Sequence, residues 1–372
     1  MTILALVFCG LWGLLCLVAL TNLLLMPKPI AQPDDDKALL TALIPARNEE
    51  ANLELLLPAL VPQFDQVIIY DDSSDDATAA VAKKHGAMVI QGRSLPSGWT
   101  GKNHACWQLA KVASEVSPSK WWVFLDADLR VQPTFGGALR ALIRQVGSRT
   151  PVLTGFPKLI PGAGLEPLYM LWVPWMLHCS IPFGLIQRSR TGHSRFTNGQ
   201  IVIWEASRYW EINPHETCKS DVLEDVQIGR LLARQKVPTT VARLTHCVSV
   251  AMYRTLGEAW SGMTKNSYWI TGSTLGAILL GTFLAVGALI WLTFPMPYLA
   301  LMVGMILFTS ALTTILAGMP LWIIPFLPIS ILAAAVTQFH ALRKVRTTGV
   351  TWKGRTYSET GAVSDRGDKS EG

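Results

Sequence analysis

Between Lys265 and Arg343 the chain carries no Lys, Arg, Asp or Glu, and residues 3–25 are equally bare of charge. Apolar blocks of that length need either a very large core or lipid as a solvent. The C-terminal block divides into three runs, residues 274–294, 297–317 and 321–339. Each approaches the ~20 residues that a helix needs to cross ~30 Å of hydrocarbon. The rest of the 372 residues is ordinary by contrast. Only 16% of the whole chain is charged, against about 25% in a typical soluble domain, and the deficit sits in the two blocks. About 240 residues between them have normal charge, enough for a real core.

Residues 1–26 read as an uncleaved transmembrane anchor. A signal peptide would want a basic start, a shorter apolar core and a small-residue cleavage site, and Met1-Thr2 and Met26-Pro27-Lys28-Pro29 supply none of these. Residues 274–340 form a transmembrane or re-entrant region, followed by a tail, 341–372, that begins with Arg343, Lys344 and Arg346 and continues to Lys353 and Arg355. The excess of Lys and Arg places that tail in the cytoplasm, and Lys28 and Lys37 place the middle domain there too. The expected setting is therefore the cell (inner) membrane, crossed several times, with the folded domain cytoplasmic. Both placements demand an even number of C-terminal crossings, whereas there are three runs. Pro320, Pro325 and Pro328 make the last run the one expected not to cross cleanly.

The net charge, 32 − 26 = +6, suits an anionic membrane face. It lacks the clustering that nucleic-acid binding requires. Six scattered cysteines (9, 16, 106, 179, 218, 247) show no C-x-x-C pair, which points to free thiols in a reducing compartment.

In the middle, short apolar runs alternate with helical patterns. Strands are expected at 39–44, 66–70, 87–90 and 121–125, and helices at 49–60, 75–84, 104–115 and 134–146. That alternation implies a mostly parallel α/β sheet covered on both faces, with ligands at the carboxyl ends of its strands. Polar clusters fall at those ends: Arg47-Asn48-Glu49-Glu50, Asp71-Asp72-Ser73-Ser74 and Asp126-Ala127-Asp128. A solvated loop explains any one of them, but three at one sheet edge form a site pattern. Asp126 and Asp128, delivered by a buried strand, have the spacing to hold Mg²⁺ or Mn²⁺ on a diphosphate. A strand-ending turn, where Asp is common, is the plainer reading of that pair alone.

Residues 165–186 have Glu166 as their one charge, three Trp or Tyr residues (Tyr169, Trp172, Trp175) and prolines at 167, 174 and 182. A broken, Trp-rich apolar segment suits the membrane interface; a buried core helix is the alternative.

Four stretches in order resemble the motifs of family-two inverting glycosyltransferases. They are Ala42-Leu43-Ile44-Pro45-Ala46-Arg47-Asn48-Glu49-Glu50, Asp71-Asp72-Ser73-Ser74-Asp75-Asp76, Asp126-Ala127-Asp128 and Leu223-Glu224-Asp225. The resemblance covers roughly residues 38–270 and implies a GT-A (Rossmann-like) domain there. Within the family the chain looks closest to membrane enzymes that glycosylate carotenoid- and hopanoid-type lipids. Ser97-Gly98-Trp99-Thr100-Gly101-Lys102-Asn103, Met252-Tyr253-Arg254, Glu258-Ala259-Trp260-Ser261-Gly262 and Trp352-Lys353-Gly354-Arg355 are similar to segments of such lipid glycosyltransferases.

The resemblance implies roles residue by residue. Pro45, Glu49 and Asp72 would line the nucleotide pocket, Asp72 facing the base, and Asp126 with Asp128 would hold the metal and donor diphosphate. Lys102 would meet donor phosphate or sugar, though a surface lysine at a helix start is an alternative. Gly199, Gln200, Glu224 and Arg254 would lie on the acceptor side. Asn198-Gly199-Gln200 is otherwise an ordinary turn. Asp225 would be the general base, where a helix cap is the plainer reading. The implied activity moves one sugar from a nucleotide sugar to a lipid, isoprenoid in type, with Mg²⁺ or Mn²⁺. A processive polysaccharide synthase is the rival, but its Q-x-x-R-W motif keeps only the arginine, Arg254. An inactive membrane scaffold is a further rival, and it would predict eroded carboxylates. Ser73 departs from the pattern, standing where many members have Gly.

Overall fold

A computed structural model describes residues 1–31, 38–147, 150–186, 196–348, 350–352, 355–357 and 363–365, with side chains through 348. Lys353 and Gly354 of the tail motif lie outside the described residues. The chain forms two compact units, one of residues 26–159 and 184–251 and the other of 1–25, 160–183 and 252–372. The contact boundary thus assigns 160–183 and 252–270, which fall inside the stretch expected as one domain, to the second unit.

Among its described residues the first unit is built on ten strands: β1 (Leu40–Ala46), β2 (Gln66–Asp71), β3 (Met88–Gln91), β4 (Trp121–Leu125), β5 (Leu129–Val131), β6 (Val152–Phe156), β7 (Lys158–Leu159), β8 (Ile201–Glu205), β9 (Thr239–Arg243) and β10 (Val248–Val250). Seven of them form a mixed sheet in the order β3-β2-β1-β4-β8-β6-β9. Every neighbouring pair is parallel except those made by β8, which runs antiparallel to both β4 and β6. β1, β2 and β4 are apolar on both faces because helices cover both, as parallel strands with helical crossovers require. Leu43, Ile68, Phe124 and Trp204 pack with Leu109 and Leu232 of the flanking helices Gly101–Val116 and Glu224–Arg234. Trp204 is fully buried; sequestering a side chain that size contributes on the order of 2–3 kcal/mol. β5, β10 and β7 make a second, small sheet, β10 antiparallel to β5 and parallel to β7.

The antiparallel strand of the seven-stranded sheet, β8, decides what gathers at the sheet edge. A parallel strand begins at the far edge, but β8 begins where β4 ends. Ile201 pairs with Leu125, and the Asp126 N–H donates to the Gln200 carbonyl at 3.1 Å. The turn before β8 is therefore placed beside the end of β4.

Among the described residues, five stretches are long and apolar enough to cross a membrane by length and composition: Thr2–Leu25, Glu166–Ile186, Thr274–Thr293, Tyr298–Ala317 and Leu321–Thr347. The prolines of the last stretch do not break it. Leu321–Phe326 is a 3₁₀ turn containing Pro325, and Pro328 lies in the first turn of a continuous helix, Leu327–Thr347. Proline is tolerated there because the first-turn N–H groups have no intrahelical partner. Residues 166–186 form three short helices, with Pro182 between the second and third. The rings of Tyr169, Trp172 and Trp175 are buried against neighbouring helices. Tyr169 Oη pairs with Thr337 Oγ1 at 2.8 Å, Ser330 Oγ accepts from the Trp172 N–H at 2.8 Å, and Trp175 packs on Trp12 at 5.7 Å.

Candidate functional site

The loops after β1 and β2 are laced into one structure. Asn48 Oδ1 accepts from the Asp75 N–H at 2.9 Å, and the Asn48 and Glu49 N–H groups donate to Ser74 Oγ and Thr78 Oγ1, each at 2.9 Å. Asp71 accepts from the Ser74 N–H at 3.1 Å and from Gln91 Nε2 at 2.8 Å. Asp72 is 7% exposed, with Arg47 Nη1 3.7 Å from its Oδ2. Both loops turn through left-handed residues, Asn48 (φ 55°) and Ser73 (φ 54°). Glycine adopts that region freely, so a glycine at the Ser73 position would meet no backbone penalty.

Lys102, on the helix Gly101–Val116, joins three further segments. Its Nζ lies 2.8 Å from Asp126 Oδ1 and 2.9 Å from Glu224 Oε1, and it donates to the Gly199 carbonyl at 3.2 Å. The side chain is about one-third exposed (35%), so it is a bridge rather than a free surface lysine. Burial works against its charge, but Asp126 and Glu224 outweigh that and hold it well above the ordinary lysine value.

Asp128, two residues beyond Asp126, has a buried Oδ1 with no hydrogen-bond partner. Burial, with Asp126 and Glu49 adding to it, pushes this carboxyl up to about 7. Burial also raises Asp126, against the pull of Lys102. Glu49 is held from outside the pair: Asn52 Nδ2 donates to its Oε2 at 2.7 Å, and Arg130 Nη2 donates to Asn52 Oδ1 at 2.7 Å. Among the described residues no group of three or more His, Cys, Asp or Glu is arranged to hold a metal. Two carboxylates, one with an orphaned buried oxygen, still fit a hard divalent cation that completes its shell with diphosphate and water oxygens.

Asp225 opens the helix Glu224–Arg234, but it is not the cap. Leu223 occupies the cap position and makes no side-chain cap bond. Instead Asp225 Oδ2 accepts from the Gly199 N–H at 3.2 Å and Oδ1 from the Val226 N–H at 2.8 Å. Burial, with Glu224 adding to it, raises this carboxyl to about 6. A Cβ on Gly199 would stand 3.1 Å from Glu224 Oε1 and 3.2 Å from Asp225 Cβ, so any larger residue in the turn before β8 would press on the pair by a few tenths of an ångström.

The structure thus gathers Lys102, Asp126, Gly199, Glu224 and Asp225 into one bonded group, with Asp128 and Glu49 coupled to Asp126 by charge. Pro45 sits within β1, in register with Tyr70. Gln200 lies in the turn, where its N–H donates to Asn198 Oδ1 at 3.3 Å. Arg254 belongs to the helical unit, where its N–H donates to Glu258 Oε2 at 2.8 Å. Sequence reasoning missed Asn52 and Arg130, which act through Glu49 and carry no motif of their own. Asn103 was legible only as a letter in Gly101-Lys102-Asn103.

The profile of Glycosyl transferase family 2 matches residues 41–149. A 4,4'-diaponeurosporenoate glycosyltransferase of Staphylococcus aureus strain MRSA252 is 28% identical over 283 residues, 72% of each chain. Its namesake from Staphylococcus haemolyticus strain JCSC1435 is 27% identical over 239 residues, 60% of each chain. Among solved structures, glucosyl-3-phosphoglycerate synthase from Mycobacterium tuberculosis, in complex with Mn²⁺, UDP and glucosyl-3-phosphoglycerate, aligns with a TM-score of 0.40 and 18% identity over 65% of this chain and 86% of that one. Mannosyl-3-phosphoglycerate synthase from Rubrobacter xylanophilus aligns with a TM-score of 0.38 and 18% identity over 65% and 72%.

Proposed function

We propose that this chain, a nucleotide-sugar-dependent glycosyltransferase carrying a glycosyl transferase family 2 domain over residues 41–149, moves a single sugar onto a membrane lipid of the isoprenoid class with inversion. The observation that carries the reading is the Lys102 bridge, which ties the end of β4 to Glu224, the neighbour of Asp225. A donor-side carboxylate pair and a separate buried carboxylate are what an in-line displacement requires.

In this mechanism the acceptor oxygen attacks the anomeric carbon on the face opposite the nucleoside diphosphate. Asp225 takes the acceptor hydroxyl proton as the new C–O bond forms and the bond to the diphosphate breaks. Asp126 and Asp128 would hold Mg²⁺ or Mn²⁺, which when bound neutralises charge on the departing diphosphate. Lys102 adds a fixed positive charge on the same side. Pro45, Glu49 and Asp72 line the nucleotide side; Gly199, Gln200 and Glu224 shape the acceptor side, and Arg254 is assigned there on the sequence pattern alone. Apolar helices on either side of the domain in the sequence keep it at the bilayer, where a lipid acceptor is dissolved. That supports a multi-pass membrane protein, and the Lys and Arg that follow the first and last apolar runs support a cell-membrane setting with the catalytic domain in the cytoplasm.

The relatives' substrate name, diaponeurosporenoate, is that of a carboxylate. A carboxylate arrives ionised and needs no base, whereas a hydroxyl does, so the acceptor class is readable from Asp225 itself. The test is incubation of membranes containing the protein with a panel of radiolabelled nucleotide sugars, followed by lipid extraction. One labelled lipid carrying one sugar is expected. Label in a polymer, or in no lipid from any donor, sinks the reading.

A further inference from the structure

Glu224 and Asp225 arrive from residues 218–223, a run of turns and bends with no strand or helix of its own. Such a segment holds two side chains in place only if something else fixes its backbone. The fixing bonds come from the start of the helix Gly101–Val116. Asn103 is completely buried, and its Nδ2 donates to the Cys218 carbonyl at 2.8 Å and the Asp221 carbonyl at 3.3 Å, with Thr100 Oγ1 at 2.9 Å. The Thr100 N–H adds a bond to the Lys219 carbonyl at 2.7 Å. Two carbonyls converging on one side-chain nitrogen require a donor there, which excludes Asp at this position and fixes the orientation of the amide.

We infer that Asn103 is a positioning residue, clamping 218–221 to the helix that carries Lys102 and thereby setting the register between Lys102 and the Glu224–Asp225 pair. The kinetic consequence rests on the proposed role of Asp225; the clamp itself does not. A residue that merely closed the first turn of its own helix would influence 101–105 and leave 218–226 alone.

The test compares wild type, Asn103→Ser and Asn103→Ala as full chains in membranes or detergent. Hydrogen exchange at 218–226 should accelerate at least about tenfold in Asn103→Ala, since two bonds to carbonyls are lost. Asn103→Ser, which keeps one hydroxyl donor, should fall between, and amides 106–116 should keep their protection. With the best donor from the labelled panel, kcat per nucleotide-binding site should drop about 10–100-fold while the donor KM stays within about threefold. Asn103→Ser should recover part of the rate. If Asn103→Ala fails to fold, Asn103→Ser against wild type carries the same comparison. Unchanged exchange at 218–226, or acceleration confined to 101–105, overturns the inference. So does an unchanged kcat with a raised donor KM, which would put Asn103 in the donor pocket. If exchange behaves as expected but Asp225→Asn is kinetically silent on a hydroxyl acceptor, the clamp stands and the proposed base falls.

Discussion

In the proposed mechanism, Asp225 is the residue on which the chemistry turns. Burial, with Glu224 adding to it, raises its carboxyl to about 6, so below that pH it is protonated and cannot accept a proton. With a hydroxyl acceptor, kcat/KM should be flat above about pH 7 and fall about tenfold per pH unit below about 6. Asp225→Asn should slow transfer at least about a hundredfold and flatten the acid limb. If the acceptor is a carboxylate, the same variant should be mild, which would identify the acceptor class. Asp128 gives a second pair of outcomes. Asp128→Ala should lower turnover by orders of magnitude, with EDTA silencing the wild type and Mg²⁺ or Mn²⁺ restoring it; full activity in EDTA would remove the metal from the reading. The carboxyl of Asp128 is raised to about 7, chiefly by burial, so its folded state binds the proton more tightly than the unfolded one. Its stabilising contribution is complete at low pH and is lost as pH rises through about 7. In EDTA, Asp128→Asn should therefore melt above wild type at pH 8, by about 2–4 °C for each kcal/mol relieved. The gap should close by about pH 4, as differential scanning fluorimetry would read.

At the scale of elements, two boundaries explain most of what the primary structure builds. β8 turns the sheet from parallel to mixed and so brings Gly199 to the end of β4. The other boundary is the start of the helix Leu256–Thr271, a variant of the capping box: Thr255 Oγ1 accepts from the Glu258 N–H, and Glu258 Oε2 accepts at 2.8 Å from the N–H of Arg254, one residue before the cap. Thr255→Ala should cost about 1 kcal/mol of stability while nucleotide binding is unchanged. A thermal melt paired with a nucleotide titration checks both, and a lost affinity would mean that this helix start serves the donor site. Motif position alone does not distinguish these uses of a carboxylate. Glu258 ties down a helix start, whereas Asp225, one residue into its helix, divides its oxygens between the Val226 N–H and the Gly199 N–H of another segment.

For the molecule as a whole, the basic residues predict sidedness. Arg343, Lys344 and Arg346 are exposed at the end of Leu327–Thr347, and the positive-inside rule puts them with the sheet domain in the cytoplasm. Single cysteines at Thr347 and Glu115 should label from the same side; periplasmic labelling of position 347 alone would show an odd number of C-terminal crossings. Amino-acid order alone carried the apolar blocks, the parallel α/β alternation and the polar strand ends, because each is a local property of charge or period. Asp126, Asp128, Lys102 and Asp225 were nameable from their motifs for the same reason. What no local pattern could carry was the direction of β8, the strands Val152–Phe156 and Thr239–Arg243, and the bond from Asn103 across 115 residues to Cys218. Nor could prolines 325 and 328 be read as the beginning of a helix rather than its break. Those features depend on which segments pack together, and pairing energies belong to the folded chain rather than to any window of its sequence.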